Sequence, residues 1–178
     1  LEPATRTRRA ALWQVAGLER DPEGLFAGHP PLAEDGSPLA EPDALETTLA
    51  DYRTTGLTPG PHVMAHLRGA LRRRGVLSTR EVRETPDGRS VRTAGFVIVR
   101  QRPGSARGLC FLTLEDETGT TNGVLDPEAF RRLRGPLHGS ALLEIEGRVQ
   151  NVEGGVHVRV AHARPLDAHA LPASHDYR

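Results

Sequence analysis

The sequence predicts an α+β, mainly β chain: a five-stranded barrel preceded by a helical, linker-rich N-terminal segment. Three observations predict it. The apolar spacing changes from helical to alternate-residue at Ser90. Five apolar runs of strand length follow, with one short helix between the third and the fourth. Upstream, residues 21–44 are crowded with Pro, Gly, Asp and Glu, the composition of a linker.

The elements follow in order. Residues 5–18, "TRTRRAALWQVAGL", have Leu12, Val15 and Ala16 at helical spacing, with Thr5 able to cap the helix and Gly17 able to end it. Trp13 reads as a packing residue, and residues 1–20 form the first segment. Residues 21–88 are a linker holding two short helices. Residues 44–53 align Leu45, Leu49 and Tyr52, and "GLTPGP" breaks that helix. His62–Arg74 align Val63, Leu67 and Leu71, and Gly75 closes the second helix. Arg72, Arg73 and Arg74 lie at its C-terminal end, where cations complement the helix dipole.

The barrel domain is predicted over 89–166. Residues 90–100 and 109–115 are the first two strands, joined by "RQRPGSARG", and 120–125 is the third. Pro127 opens a helix over 127–133. In strand four, 141–149, Ala141, Leu143, Ile145 and Val149 face one way while Glu144, Glu146 and Arg148 face the other. "NVEGG" turns the chain into strand five, 156–166, with Val156, Val158 and Val160 inward. Residues 167–178 form a patternless tail. This strand–helix order is that of the OB-fold, whose second and third strands, with loops 1–2 and 4–5, bind oligonucleotides or oligosaccharides. Gly95 and Gly147 then mark bends in the barrel.

Composition excludes several classes. No apolar run is long enough to span a bilayer. Cys110 is the only cysteine, so there is no internal disulfide and no thiolate cluster for zinc, and a reducing cytoplasm is the expected compartment. Leu1 stands where an initiator Met would, so the chain reads as a piece of something longer. All 23 basic residues are arginine, and net charge is zero. The sum hides a gradient: residues 1–58 carry 5 arginines against 10 acids, whereas residues 89–166 carry 11 against 8. Only the second half is suited to a polyanion.

Catalytic constellations are missing from this reading. "GSARG" lacks the Lys-Ser/Thr and the following helix of a phosphate loop. His62 and His66 share a helical face but have no third ligand nearby, and Glu115–Glu117 read as turn residues rather than a magnesium site. Binding remains. Five arginines and no acid lie between Arg89 and Arg107. Arg100, Arg102 and Arg107 belong to the 1–2 loop and its start, where strand phosphates would run. Phe111 on strand two, and Arg148, His157 and Arg159 on strands four and five, complete the candidate interface. Alternation alone leaves Phe111 open between base stacking and core packing. With so few aromatic residues, the expected affinity is weak and salt-sensitive.

"VRTAGFVIVRQRPGSARGLCFLTLEDETG", "PEAF", "LLEIEGRVQ" and "VHVRV" together resemble the C-terminal OB domain of error-prone bacterial DNA polymerases of the polymerase III alpha-subunit class. "DYRTTGLTPGPHVMAHLR" resembles the linker before that domain, and "RRAALWQVAGL" the last helix of the tandem helix-hairpin-helix region. The resemblance implies a damage-inducible parent enzyme that copies past lesions, with Y-family-like and RecA-like partners. It implies magnesium and deoxynucleotides for the parent, and no cofactor for this segment. Arg100, Arg102, Arg107 and Phe111 match the part of the family thought to face single-stranded template. Two alternatives stand beside it: a protein-docking module for lesion-bypass factors, and a stand-alone OB-fold protein. A tRNA synthetase OB-fold fits "FLTLEDETG" but not the preceding linker. Two departures are expected to matter: Gly123 weakens strand three, and Asp126 puts a negative charge near the groove.

Overall fold

Alternate-residue burial is the plainest consequence of the sequence pattern in the computed structural model, which describes residues 40, 42–152 and 154–166. The strands are β1 (Ser90–Gln101), β2 (Cys110–Asp116), β3 (Gly119–Leu125), β4 (Leu142–Val152) and β5 (Gly155–Pro165). In β2, Cys110, Leu112, Leu114 and Asp116 are buried, while Phe111, Thr113 and Glu115 lie on the opposite, outer face. The strands close into a barrel in the order β1-β2-β3-β5-β4. Every pairing is antiparallel except β3 with β5. This is the predicted five-stranded OB-fold, with each strand within three residues of its expected bounds.

The long β1 pairs with β4 through its first half and with β2 through its second, Phe96 belonging to both ladders. The core contains Val97, Leu112, Leu114, Leu143, Ile145 and Val158, all at most 1% exposed. Gly147 falls at the register shift between β4 and β5, and a Cβ there would lie 2.1 Å from the Arg159 carbonyl oxygen. Gly95 is constrained in the same way, 2.6 Å from the Glu115 carbonyl oxygen. Both bends predicted from the sequence are therefore places where only a hydrogen fits.

Gly123 answers differently from expectation. A Cβ on it would lie 3.0 Å from Val160 Cγ2 and 3.5 Å from Ile145 Cδ1, inside the barrel. The glycine makes room for the β5 and β4 core side chains. It serves packing at that point rather than merely weakening β3.

Four helices are described: α1 (Ala44–Thr55), α2 (Val63–Arg73), α3 (Thr79–Arg83) and α4 (Pro127–Gly139). The sequence expectation lacked α3. Ser78 accepts from the Glu81 amide while the Glu81 carboxylate accepts from the Ser78 amide, a capping box readable in "STRE". α4 begins on Pro127, as expected, but continues past residue 133 and through Pro136. Leu137, 1% exposed, gives that extra turn a buried anchor. Two compact units divide the chain, Leu1–Glu46 and Thr47–Arg178. The predicted helix over 5–18, with Trp13, and the tail 167–178 lie outside the described residues. Among the described residues, no helix is long and apolar enough to cross a membrane.

Candidate nucleic-acid interface

Two polar joints fix α2 and α3 to the barrel and so decide which face is left open. The first is Asp116, whose side chain is fully buried. Its carboxylate accepts from the Thr79 amide and hydroxyl at 2.8 Å each and from the Thr118 amide and hydroxyl at 2.7 Å each. Arg68 donates to it at 2.8 Å and also reaches Glu117. Burial pushes the Asp116 pKa up, but the hydrogen bonds from Thr118 and Thr79 outweigh it and hold the group below the usual carboxylate range. The sequence expectation read 115–119 as turn residues. Asp116 is in addition a buried anchor for two helices.

The second joint is Glu144. Alternation put it on the outward side of β4, yet it is only 3% exposed because Arg74 and Arg164 cover it, at 2.6 and 2.5 Å. Arg92 donates to the Arg74 carbonyl. Arg72 pairs with Glu81, and Arg83 donates to the Thr120 carbonyl at 2.8 Å. The Arg72–Arg74 cluster is thus partly spent on structure. His62 caps α2 by accepting from the Met64 amide through Nδ1. Burial pushes its pKa down, with Glu115, Glu117 and Asp116 opposing. His66 Nε2 meets Thr48 Oγ1 at 3.0 Å. Among the described residues no group of three or more His, Cys, Asp or Glu is placed to hold a metal ion. Cys110 is buried, which raises its thiol pKa.

The predicted contact residues divide into three sets. Arg100, in β1, donates through Nη2 to the Ser140 carbonyl at 2.5 Å, tying β1 to the α4–β4 junction. Arg102 and Arg107 lie in the loop between β1 and β2 and are exposed. The Arg102 guanidinium sits over the Phe130 ring, 5.1 Å from its centroid. Arg107 adopts a left-handed conformation, φ 49°, at the end of a 3-10 turn over Gly104–Ala106, and its guanidinium makes no hydrogen bond or ion pair among the described residues.

The remaining residues share a surface. Reading across the barrel, Gln101 pairs with Phe111, Phe111 with Val124, Val124 with Arg159, and Arg159 with Arg148. The neighbouring row runs Thr113, Asn122, His157, Gln150. Phe111 is therefore on the outer face and not in the core, the choice that alternation had left open. His157 is half-buried, and its Nδ1 has no hydrogen-bond partner among the described residues.

Asp126 also has a purpose that sequence reasoning missed. Its Oδ1 accepts from the Ala129 amide at 2.8 Å, capping α4, and its Oδ2 lies 3.4 Å from Arg159. The Ala129 amide bond holds its pKa low. The negative charge noted near the groove is that of a helix cap. Beside it opens a cleft of about 340 Å³ whose lining includes Arg132, Arg148 and Arg159. Arg132 was missed because "RRLR" offers three arginines and only the helix phase separates them.

Residues 91–166 match the family described as OB-fold nucleic acid binding domain. Along the chain, similarity is to proteins called error-prone DNA polymerase. That of Brucella melitensis is 42% identical over 172 residues, covering 94% of this chain and 16% of the relative. That of Anaeromyxobacter dehalogenans is 42% identical, covering 96% of this chain and 15% of the relative. The chain thus spans about one sixth of the length of the curated relatives it matches. Among solved structures, asparaginyl-tRNA synthetase from Pyrococcus horikoshii overlays with a TM-score of 0.44 at 26% identity, over 52% of this chain and 23% of that one.

Proposed function

This chain belongs with the error-prone DNA polymerases, and from that premise we propose that its barrel is a non-catalytic module that holds single-stranded DNA template for such an enzyme. The observation that carries the proposal is the row Phe111, Val124, Arg159, Arg148 across four strands. One aromatic ring, one apolar side chain and two guanidiniums give a strand something to stack on and something to neutralise its phosphates. The loop arginines Arg102 and Arg107 extend the cationic surface. His157 in the adjacent row adds a half-buried ring. Arg100 contributes indirectly, by holding the Ser140 carbonyl at the base of α4.

The proposal extends to the parent enzyme: magnesium-dependent nucleotide transfer and lesion bypass, with Y-family-like and RecA-like partners, in the cytoplasm. Those activities would reside in the remainder of the polymerase.

Fluorescence anisotropy with a labelled single-stranded oligonucleotide tests the module itself. Binding should be weak and should fall steeply between low and moderate salt, because each neutralised phosphate releases a counterion. Reversing Arg102 and Arg107 to Glu should abolish it. Undetectable binding at low salt, or affinity indifferent to salt, would overturn the proposal.

A further inference from the structure

The cleft beside α4 has a charge arrangement that folding alone does not favour. Arg148 and Arg159 are directly opposed in the β4–β5 ladder, and both are exposed. Like charges in that relation oppose strand pairing. Asp126 offers only partial relief. Its one near oxygen is 3.4 Å from Arg159 Nη2, and its other oxygen is engaged in capping α4. A third guanidinium comes from α4, where Arg132 Nη2 donates to the Ala161 carbonyl at 2.8 Å. Arg148 Nη1 donates to the Gly88 carbonyl at 3.1 Å. Each guanidinium is thus steadied by one contact and keeps further N–H donors. All three line the same cleft of about 340 Å³. A local arrangement that costs stability marks a place where function sets the residues.

Resting on the reading of the barrel as a DNA-binding module, we infer that this cleft is a phosphate subsite, with Arg132 as the residue that completes it. Its ligand is a backbone phosphodiester of the bound strand. A strand lying along Phe111, Val124 and Arg159 reaches Arg148 next, and Arg132 closes over it from α4. The phosphate relieves the opposition between Arg148 and Arg159 and accepts from three elements at once. Asp126 and Glu128 also line the cleft, so its three arginines stand against two carboxylates.

Helix α4 supplies its own control. Arg131 is as exposed as Arg132 and carries the same charge, but it does not line the cleft. With the full chain and a labelled oligonucleotide at low salt, Arg132→Gln should weaken binding about five- to tenfold and reduce the salt slope by about one. Arg131→Gln should change affinity less than about twofold. Arg132→Lys, which keeps the charge and protects against a folding artefact, should retain the slope. Equal losses in Arg131→Gln and Arg132→Gln would overturn the subsite while leaving DNA binding by the barrel intact. No binding by the unaltered chain would overturn both. Inorganic phosphate should compete no better than chloride at equal ionic strength; selective displacement by phosphate would show a free-anion site and overturn the strand assignment.

Discussion

Arginine meets two different fates on this barrel. On the side covered by α2 and α3, Arg68, Arg72 and Arg74 pair with carboxylates, while Arg83 and Arg92 donate to carbonyls. Across the β1–β2 loop and the β3–β5 rows, the guanidiniums are held lightly. That of Arg102 rests on a ring, that of Arg107 has no polar partner among the described residues, and that of Arg159 meets one carboxylate at 3.4 Å. The difference teaches that an arginine count does not locate an interface. What separates the two sides is the partner: carboxylates at 2.8, 3.2 and 2.6 Å for Arg68, Arg72 and Arg74, against an aromatic ring for Arg102 and one carboxylate at 3.4 Å for Arg159.

The comparison breaks first, and most heavily, at Asp116. Asp116→Ala takes the acceptor from the Thr79 and Thr118 amides and leaves Arg68 with Glu117 alone, so it should cost about 2–5 kcal/mol in urea unfolding. Binding of the oligonucleotide by the fraction still folded should survive. Loss of binding at full folding would mean the two sides are not separable. Phe111→Ala sharpens the other side: about 1–3 kcal/mol of binding free energy by anisotropy, with the unfolding midpoint moving much less than in Asp116→Ala. Gly123→Ala tests the barrel between them. The added Cβ meets Val160 and should destabilise by about 1–3 kcal/mol, lowering the thermal midpoint.

Arg107→Gln is smaller. It should leave the thermal midpoint in place and reduce the salt slope by about one. The smallest effect concerns pH at His62. Its folded pKa is lowered by burial, so the unfolded chain binds the proton more readily. Stability contributed by neutral His62 is therefore present above the ordinary histidine pKa and declines as pH falls below about 6.5. In His62→Asn, which can still cap α2, thermal midpoints between about pH 7 and 5 should fall less steeply than in the unaltered chain.

The barrel was legible because its signals are local. Alternation in residues 90–100 and 141–149, a proline at the start of α4 and glycines at the bends each report on their own neighbourhood. α3 was legible in principle, since Ser78 and Glu81 form a capping box, but five residues give no helical period to detect. Pro136 hid the last turn of α4 because the helix continues on the burial of Leu137, a tertiary contact. The candidate site divides in the same way. Phe111 could be nominated but not assigned a face until β1 and β3 fixed its neighbours. The Arg100 bond to the Ser140 carbonyl could not be read from the sequence because the two lie 40 residues apart. Asp116 looked like a turn residue because Thr79 and Arg68 are equally remote in sequence.

The barrel closes through one parallel contact, Asn122–Val124 of β3 against His157–Arg159 of β5. Without β5, strands β1 to β4 would form an open sheet in the order β3-β2-β1-β4, with two bare edges. Among the barrel strands only β5, the last of them in chain order, hydrogen-bonds to both edges and seals them. A nascent chain halted between β4 and β5 carries two unprotected strand edges, the template on which copies of such a sheet stack. Aggregation of this protein should therefore be governed by the delay before β5 arrives.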